Sequence, residues 1–336
     1  GFALQEDKSK SLCQGSPTFH ITVEQPEEVN RAIHTFPLGH NHEPFSQQEI
    51  LMDKIRLGLV GCGGMGNRHM LGLRHLVQSP FNNVELCALC DVKRENAEMA
   101  ASAVKELLDL EVAIFTDLED MTRSVPDLHA VDVVTDPSTH HNVVCNALDL
   151  GLNVMVEKPM AITVRGCRMM MDAAERNERI LSIAENYQRD PSARLVHHLL
   201  QNGVIGNLYA AMFHQARPGN TILITPWRHQ KVNGGPLLDV GVHYVHMVRY
   251  QLGEIEEVYG DARLLEPIRK KPESLRSPHA FYQKRFESMA SEVPADAEDM
   301  SMAIFRMRSG ISPRRCAKAG RRCVKGCRRC ASALPV

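Results

Sequence analysis

The sequence predicts a doubly wound parallel α/β domain followed by a second, α+β domain, and three observations carry this. Short apolar runs recur at 55–60, 84–90, 112–115, 131–134, 153–156 and 180–184, with helical patterns near 66–78, 94–109, 140–150 and 163–177 between them. Runs of that length read as strands buried on both faces, and repeated strand–helix units assemble a parallel sheet. The first run, Ile55-Arg-Leu-Gly-Leu-Val60, passes straight into Gly61-Cys-Gly-Gly-Met-Gly66 and then into a helical pattern. Beyond about residue 186 the rhythm changes and longer helices and strands alternate irregularly.

In chain order, residues 1–53 form an extension outside the folded core, with no sustained period and a mixture of Pro, His, Gln and Glu. The chain opens on Gly1, and Met52 lies just ahead of the first strand. The expectation is that translation starts at Met52 and that the preceding residues are upstream sequence or a disordered arm. Residues 54–186 make the parallel domain, with Gly151 at the end of a helix before the fifth strand. Residues 187–310 make the second domain: a helix over 191–202, a strand-like stretch over 207–216, a loop rich in Gly, Pro and Thr over 217–236, a helix over 237–251, and strands over 255–263 and 300–308. Residues 311–336 are a basic, Cys-rich tail. Its Cys316, Cys323, Cys327 and Cys330 do not follow a standard zinc spacing. The tail reads as a frameshifted or artificial terminus in place of the rest of a sheet.

Composition narrows the class. The chain has 336 residues, 39 Lys and Arg against 40 Asp and Glu, and the hydrophobic fraction of a globular protein. No apolar run is long enough to span a bilayer, and the basic charge confined to the tail does not make a nucleic-acid surface. Cys13, Cys62, Cys87, Cys90, Cys145 and Cys167 are scattered, mostly in apolar runs, and read as reduced core thiols, which predicts a cytoplasmic protein.

The glycine-rich turn carries the first chemistry. Gly61 makes the tight turn, Gly63 lets backbone approach a pyrophosphate, and Gly66 lets the helix pack close to the strand, with Gly64 and Met65 between them on the cradle. The helix N-terminus adds free N–H groups. Asp91, ending the second strand, suits the two hydroxyls of an adenosine ribose and would repel a 2′-phosphate. That favours NAD over NADP, although Lys93 and Arg94 follow closely. After the fourth strand, Pro137-Ser-Thr-His-His141 would lie beside the dinucleotide, either touching it or beginning the next helix.

Two segments supply candidate catalytic groups. Glu157-Lys158-Pro159 follows the fifth strand, so Lys158 can stabilise a developing alkoxide and Pro159 fixes the turn, with a cis bond as one way to do so. Gly234-Gly-Pro-Leu-Leu-Asp239-Val-Gly-Val-His243 places Asp239 and His243 four apart on one helix face, behind two glycines that permit close approach of a ligand. Histidine suits general acid–base work. His246 extends that face toward a metal-binding pattern, but no further ligand presents itself, and no metal is expected.

Taken together and in this order, these segments resemble the glucose–fructose oxidoreductase/inositol dehydrogenase (Gfo/Idh/MocA) family over about residues 54–310. Leu199-Leu-Gln-Asn-Gly-Val-Ile-Gly206 and Pro226-Trp227-Arg228 resemble further landmarks. The resemblance implies an N-terminal Rossmann domain and a C-terminal domain with an open, largely antiparallel sheet. It also implies a nicotinamide cofactor, a sugar, polyol or cyclitol substrate, and a homo-oligomer. By position, Lys158 matches the active-site lysine, His243 the proton-transfer residue, and Asp239 the acid that orients substrate hydroxyls. Tyr187 and Arg189 follow the last Rossmann strand where substrate contacts arise, and Trp227 and Arg228 wall the pocket. Gly61, Gly63, Gly64, Met65, Gly66, Asp91, Pro137, His141, Glu157 and Lys158 fall on the cofactor side. The chain departs from many relatives at His246, which leaves the substrate open, and its second sheet stops early. The expected activity is hydride transfer between NAD(H) and a hydroxyl or ketone. The alternatives are an NAD-recycling glycoside hydrolase of the same fold and a non-catalytic dinucleotide-binding regulator.

Overall fold

The computed structural model describes residues 18–20, 54–80, 82–216, 220–274 and 280–308. The expectations for the tail and for most of the N-terminal extension lie outside them. Within that extension Thr18–His20 forms a short strand, β1, paired antiparallel with β8 (Met212–His214) of the second domain. Three residues are too few to show a period.

The first domain is a six-stranded parallel sheet. Its strands are β2 (Ile55–Val60), β3 (Val84–Cys90), β4 (Ala113–Phe115), β5 (Ala130–Val133), β6 (Asn153–Val156) and β7 (Leu181–Ile183), in the order β4-β3-β2-β5-β6-β7. Side chains along a strand alternate between faces, and β2 uses both. Leu59 packs into one core with Met70, Leu89, Ala97 and Val104, while Val60 packs into the other with Met121, Val131, Val144 and Met170. Helices α1 (Gly64–Val77) and α2 (Arg94–Leu108) cover the first face. The other face is covered by α3 (Leu118–Ser124), α4 (His140–Asp149) and α5 (Val164–Arg176). The short α3 went unseen in the sequence because only Leu118 and Met121 of its seven residues are buried.

The strand order reverses around β2, whose neighbours are β3 and β5. In open α/β sheets that switch point, at the carboxyl ends of the strands, is where ligands bind. Gly61 follows β2 there, Asp91 follows β3, and Lys158 follows β6 within two residues.

The second domain holds α6 (Pro191–Gln201), α7 (Gly235–Leu252) and α8 (Ala280–Glu287). Its longest ladder pairs β9 (Ile255–Arg263) antiparallel with β12 (Met300–Met307), and β10 (Ile268–Lys270) pairs antiparallel with β11 (Glu292–Pro294). Only 212–214 of the strand-like stretch 207–216 is strand. Val258, Tyr259, Met302 and Ile304 are exposed on the β9–β12 ladder. No helix among the described residues is long and apolar enough to cross a membrane.

Candidate active site

At Gly61 and Gly66 the turn has the tight geometry that its spacing predicts. Gly61 has φ +100°, and a Cβ there would lie 2.6 Å from the Val134 carbonyl oxygen. A Cβ on Gly66 would lie 2.3 Å from the Gly61 carbonyl oxygen, so only glycine lets α1 pack against the turn. Gly63 differs, because a Cβ there would meet nothing within 4 Å. Its bareness serves no neighbour within the protein. Helix α1 has no side-chain cap and no acidic residue in its first turn. Asp117, Thr163 and Asp190 cap α3, α5 and α6, whereas the helices over 94–108, 140–149 and 235–252 are, like α1, without a side-chain cap. Open space beside Gly63 and an uncapped helix N-terminus fit the pyrophosphate of a dinucleotide.

Asp91 braces this turn. Its carboxylate accepts the Cys62 N–H at 2.8 Å and the Lys93 N–H at 2.8 Å. Arg94, which could have offset that negative charge, pairs with Glu98 at 3.0 Å. The thiols of Cys62 and Cys90 are both buried, and burial pushes them up, Cys90 to about 12, so they stay protonated.

A cavity of about 330 Å³ runs from the glycine turn into the second domain, lined by Gly63, Gly64, Met65, Pro137, Glu157, Lys158, Trp227, Arg228 and Asp239 among others. At its inner end the Lys158 ammonium donates to the Asp239 carboxylate at 3.0 Å and to the Asp239 carbonyl at 2.9 Å. An ammonium has three donors, so one remains. The Arg228 guanidinium donates to the other Asp239 oxygen at 2.9 Å and lies over the Trp227 ring at 4.3 Å. Burial works against the charge on Asp239, but Arg228 and Lys158 outweigh it and hold the carboxyl below its usual range. The Lys158–Pro159 bond is cis.

His243 lies one helical turn from Asp239, is buried, and is not among the residues lining this cavity. Its Nδ1 meets the Glu185 carboxylate at 2.8 Å, and its ring stacks on Tyr187 with centroids 4.0 Å apart. Glu185 also accepts the Tyr187 N–H at 2.9 Å. Burial would raise the Glu185 carboxyl, yet its bond to His243 and that N–H lower it. Tyr187 thus supports His243 rather than lining the cavity, and Arg189 is exposed beside it.

Two expected contacts lie elsewhere. His141 is not among the residues lining the cavity, and its Cβ lies 3.4 Å from where a Cβ on Gly166 of α5 would sit. The neighbouring His140 is fully buried, its two ring nitrogens 2.9 Å and 3.0 Å from the carbonyls of Pro159 and Thr135. Gly234 and Gly235 do not open the helix to a ligand either. Cβ atoms there would meet Leu238 and Ala297 at 2.7 Å each, so their bareness serves packing.

Sequence reading missed His69, which sits on α1 beneath the cradle. Its ring nitrogens meet Asp132 at 2.7 Å and Glu157 at 3.0 Å. Burial disfavours the imidazolium, but the two carboxylates prevail and raise its pKa to about 10. Glu157 also accepts the Lys158 N–H at 2.8 Å, so its carboxylate is spent on holding this strand end. His229 was missed as well. Its Nε2 accepts the Leu223 N–H at 2.8 Å, fastening the loop that presents Arg228. Burial, with Arg269 and Arg228, lowers its pKa to about 4 and keeps it neutral.

Comparison with known proteins agrees with this geometry. Residues 55–185 match the family model described as "Oxidoreductase family, NAD-binding Rossmann fold", and 193–313 match the "GFO/IDH/MocA C-terminal domain". Levoglucosan dehydrogenase of Pseudarthrobacter phenanthrenivorans is 27% identical over 266 residues, covering 77% of this chain and 66% of its own length. Glycosyl hydrolase family 109 protein 2 of Phocaeicola vulgatus is 31% identical, covering 46% of this chain and 37% of its own. Myo-inositol 2-dehydrogenase of Thermotoga maritima is 26% identical, covering 63% and 59%. The chain thus spans less than two thirds of the length of these curated relatives. Among solved structures, apo levoglucosan dehydrogenase superposes with a TM-score of 0.60 at 25% identity, covering 77% of this chain and 66% of that one.

Proposed function

The chain belongs to the Gfo/Idh/MocA family of oxidoreductases, and from that premise we propose that it is an NAD(H)-dependent dehydrogenase of a sugar, polyol or cyclitol hydroxyl. Residues 54–186 bind the cofactor and 187–310 the substrate. One observation carries the reading: Lys158, at the sheet edge beside the glycine cradle, is joined to Asp239 of the second domain inside a shared cavity. When bound, NAD supplies the hydride acceptor. The chain's own residues supply the rest. Lys158 uses its remaining N–H to stabilise alkoxide character on the substrate oxygen. Asp239, held by Lys158 and Arg228, accepts from substrate hydroxyls, and Trp227 walls the pocket. His243, with Nδ1 fixed by Glu185, takes the hydroxyl proton at Nε2.

Preference for NAD over NADP follows from Asp91, with Arg94 engaged by Glu98. A cytoplasmic location suits the five described cysteines, all free thiols. The exposed apolar residues of the β9–β12 ladder support a homo-oligomer.

The test is NAD reduction across a sugar and polyol panel by the natural protein and by Lys158→Ala. Losing one donor to a developing oxyanion lowers kcat by about 10²–10³, while NADH affinity stays nearly unchanged. A fully active Lys158→Ala enzyme overturns the mechanism. The likeness to a glycosyl hydrolase family 109 protein favours one second reading, glycoside cleavage with NAD recycled in place. Cleavage of a glycoside without net NADH would identify it.

A further inference from the structure

Helix α8 of the second domain lies across the cavity from the glycine cradle. Its Tyr282 comes so close that a Cβ on Gly64 would lie 2.8 Å from the tyrosine hydroxyl. Gly64 is therefore bare toward the other domain. Arg68 of α1 stands beside the same ring, 5.9 Å from guanidinium carbon to centroid. One turn along α8, on the same face as Tyr282, Arg285 also lines the cavity.

The cations of this cavity divide into two kinds. Lys158 and Arg228 are both neutralised by Asp239. Arg285 and the more exposed Arg68 have no ion-pair partner within 4.0 Å among the described residues, and of the two only Arg285 is half-buried. Burial disfavours its charge, Asp136 favours it and Arg228 opposes it. Asp136 lines the same cavity but lies beyond ion-pair distance, so this half-buried guanidinium is open to a further anion. The anion that the cradle itself fits is a pyrophosphate, and Tyr282 brings α8 against that cradle.

We propose that Arg285 is a cofactor-anchoring residue, its guanidinium taking a phosphoryl oxygen of the bound dinucleotide across the cavity from Gly63 and Gly64. The second domain then contributes to nucleotide affinity as well as to substrate selection. This rests on the reading that the chain binds NAD(H). A fork of N–H donors suits phosphoryl oxygens better than a point charge does.

The experiment titrates the full chain, its Arg285→Gln variant and its Arg285→Lys variant with NADH by fluorescence and with ADP-ribose by calorimetry, alongside a thermal melt of each. In Arg285→Gln both dissociation constants rise in parallel by about tenfold or more, as befits a lost charge-assisted bond. Arg285→Lys falls between the two, and the melts coincide. The salt dependence of NADH binding flattens in Arg285→Gln, because one phosphate contact is gone. Unchanged constants for both ligands in Arg285→Gln overturn the assignment. So does weakening of NADH alone, which puts the contact at the nicotinamide end. A raised KM confined to acidic sugars, with both constants unchanged, also overturns it and gives Arg285 to the substrate. If the unsubstituted chain binds neither ligand, the NAD(H) reading fails with it. If it binds both and Arg285→Gln matches it, only the anchoring assignment fails.

Discussion

Replacing His69 with Gln tests the support beneath the cradle. The imidazole spans two carboxylates, Asp132 at 2% and Glu157 at 10% side-chain exposure, and is itself only 16% exposed. Its pKa moves from 6.5 to about 10 on folding. At about 1.4 kcal/mol per pKa unit, the upper bound on its contribution is about 5 kcal/mol. Glu157 keeps its bond from the Lys158 N–H in the variant, so it is not left without a partner. The expected cost is near the low end, about 3 kcal/mol, for breaking a buried pair. At about 2–4 °C per kcal/mol for a fold of this size, Tm falls by about 6–12 °C. The direction with pH is fixed because a histidine raised by folding stabilises fully below its unfolded pKa. That contribution is lost as pH climbs through the folded value. Thermal melts of both proteins should therefore differ most near pH 6. The gap should narrow steadily across about pH 6.5–10 and nearly close above that. A gap of constant size refutes the charge argument, and the absence of any gap refutes the role of the bridge.

Two further perturbations separate packing from ligand binding at the glycine turn. Gly66→Ala drives a Cβ into the Gly61 carbonyl and should destabilise by about 1–3 kcal/mol or more as a forced overpacking. Gly63→Ala enters open space and should leave Tm unchanged while weakening NADH binding; intact NADH binding in a well-folded Gly63→Ala protein removes the pyrophosphate from that position. Asp91→Ser should relax discrimination between NAD and NADP in paired Kd measurements. It should also weaken NAD itself, because the Cys62 N–H loses its acceptor; unchanged selectivity refutes the ribose assignment.

How much of this was legible depended on whether the signal was local. The strands of the parallel sheet declared themselves because each is a short run buried on both faces. The glycine spacing and the Asp239–His243 pair are likewise each set within a few residues, and Lys158 follows a strand end within two residues. Helix α8 escaped notice because Ala280–Glu287 carries no clear apolar stripe, and its neighbours lie across the domain boundary rather than along the chain. The partners of the buried histidines were hidden for the same reason. His69 reaches Asp132 over 63 positions, and His243 reaches Glu185 over 58. A lone His on an amphipathic helix gives no sign of which carboxylate the fold will bring to it. Tyr187 follows the last Rossmann strand as expected, but only the fold reveals that its ring stacks on His243.

Those hidden partners also sort the proton chemistry of the proposed reaction. Asp239 and His243 sit on one helix face, and either side chain type can act as a base. Their surroundings separate them. Asp239 is bonded to two cations that hold its carboxyl below the usual range, so it stays ionised at neutral pH and is a weak proton acceptor. The same pairing makes it a fixed acceptor for substrate hydroxyls. Glu185 is also held low, so the group facing Nδ1 of His243 remains a carboxylate. A carboxylate there orients the ring, favours the tautomer with its proton on Nδ1, and stabilises the imidazolium that forms when Nε2 takes a proton. Lys158, with two of its donors committed to Asp239, is set to donate rather than to accept. In the proposed reaction, positioning thus falls to Asp239, charge stabilisation to Lys158 and proton transfer to His243, and this division follows from which charges each side chain meets.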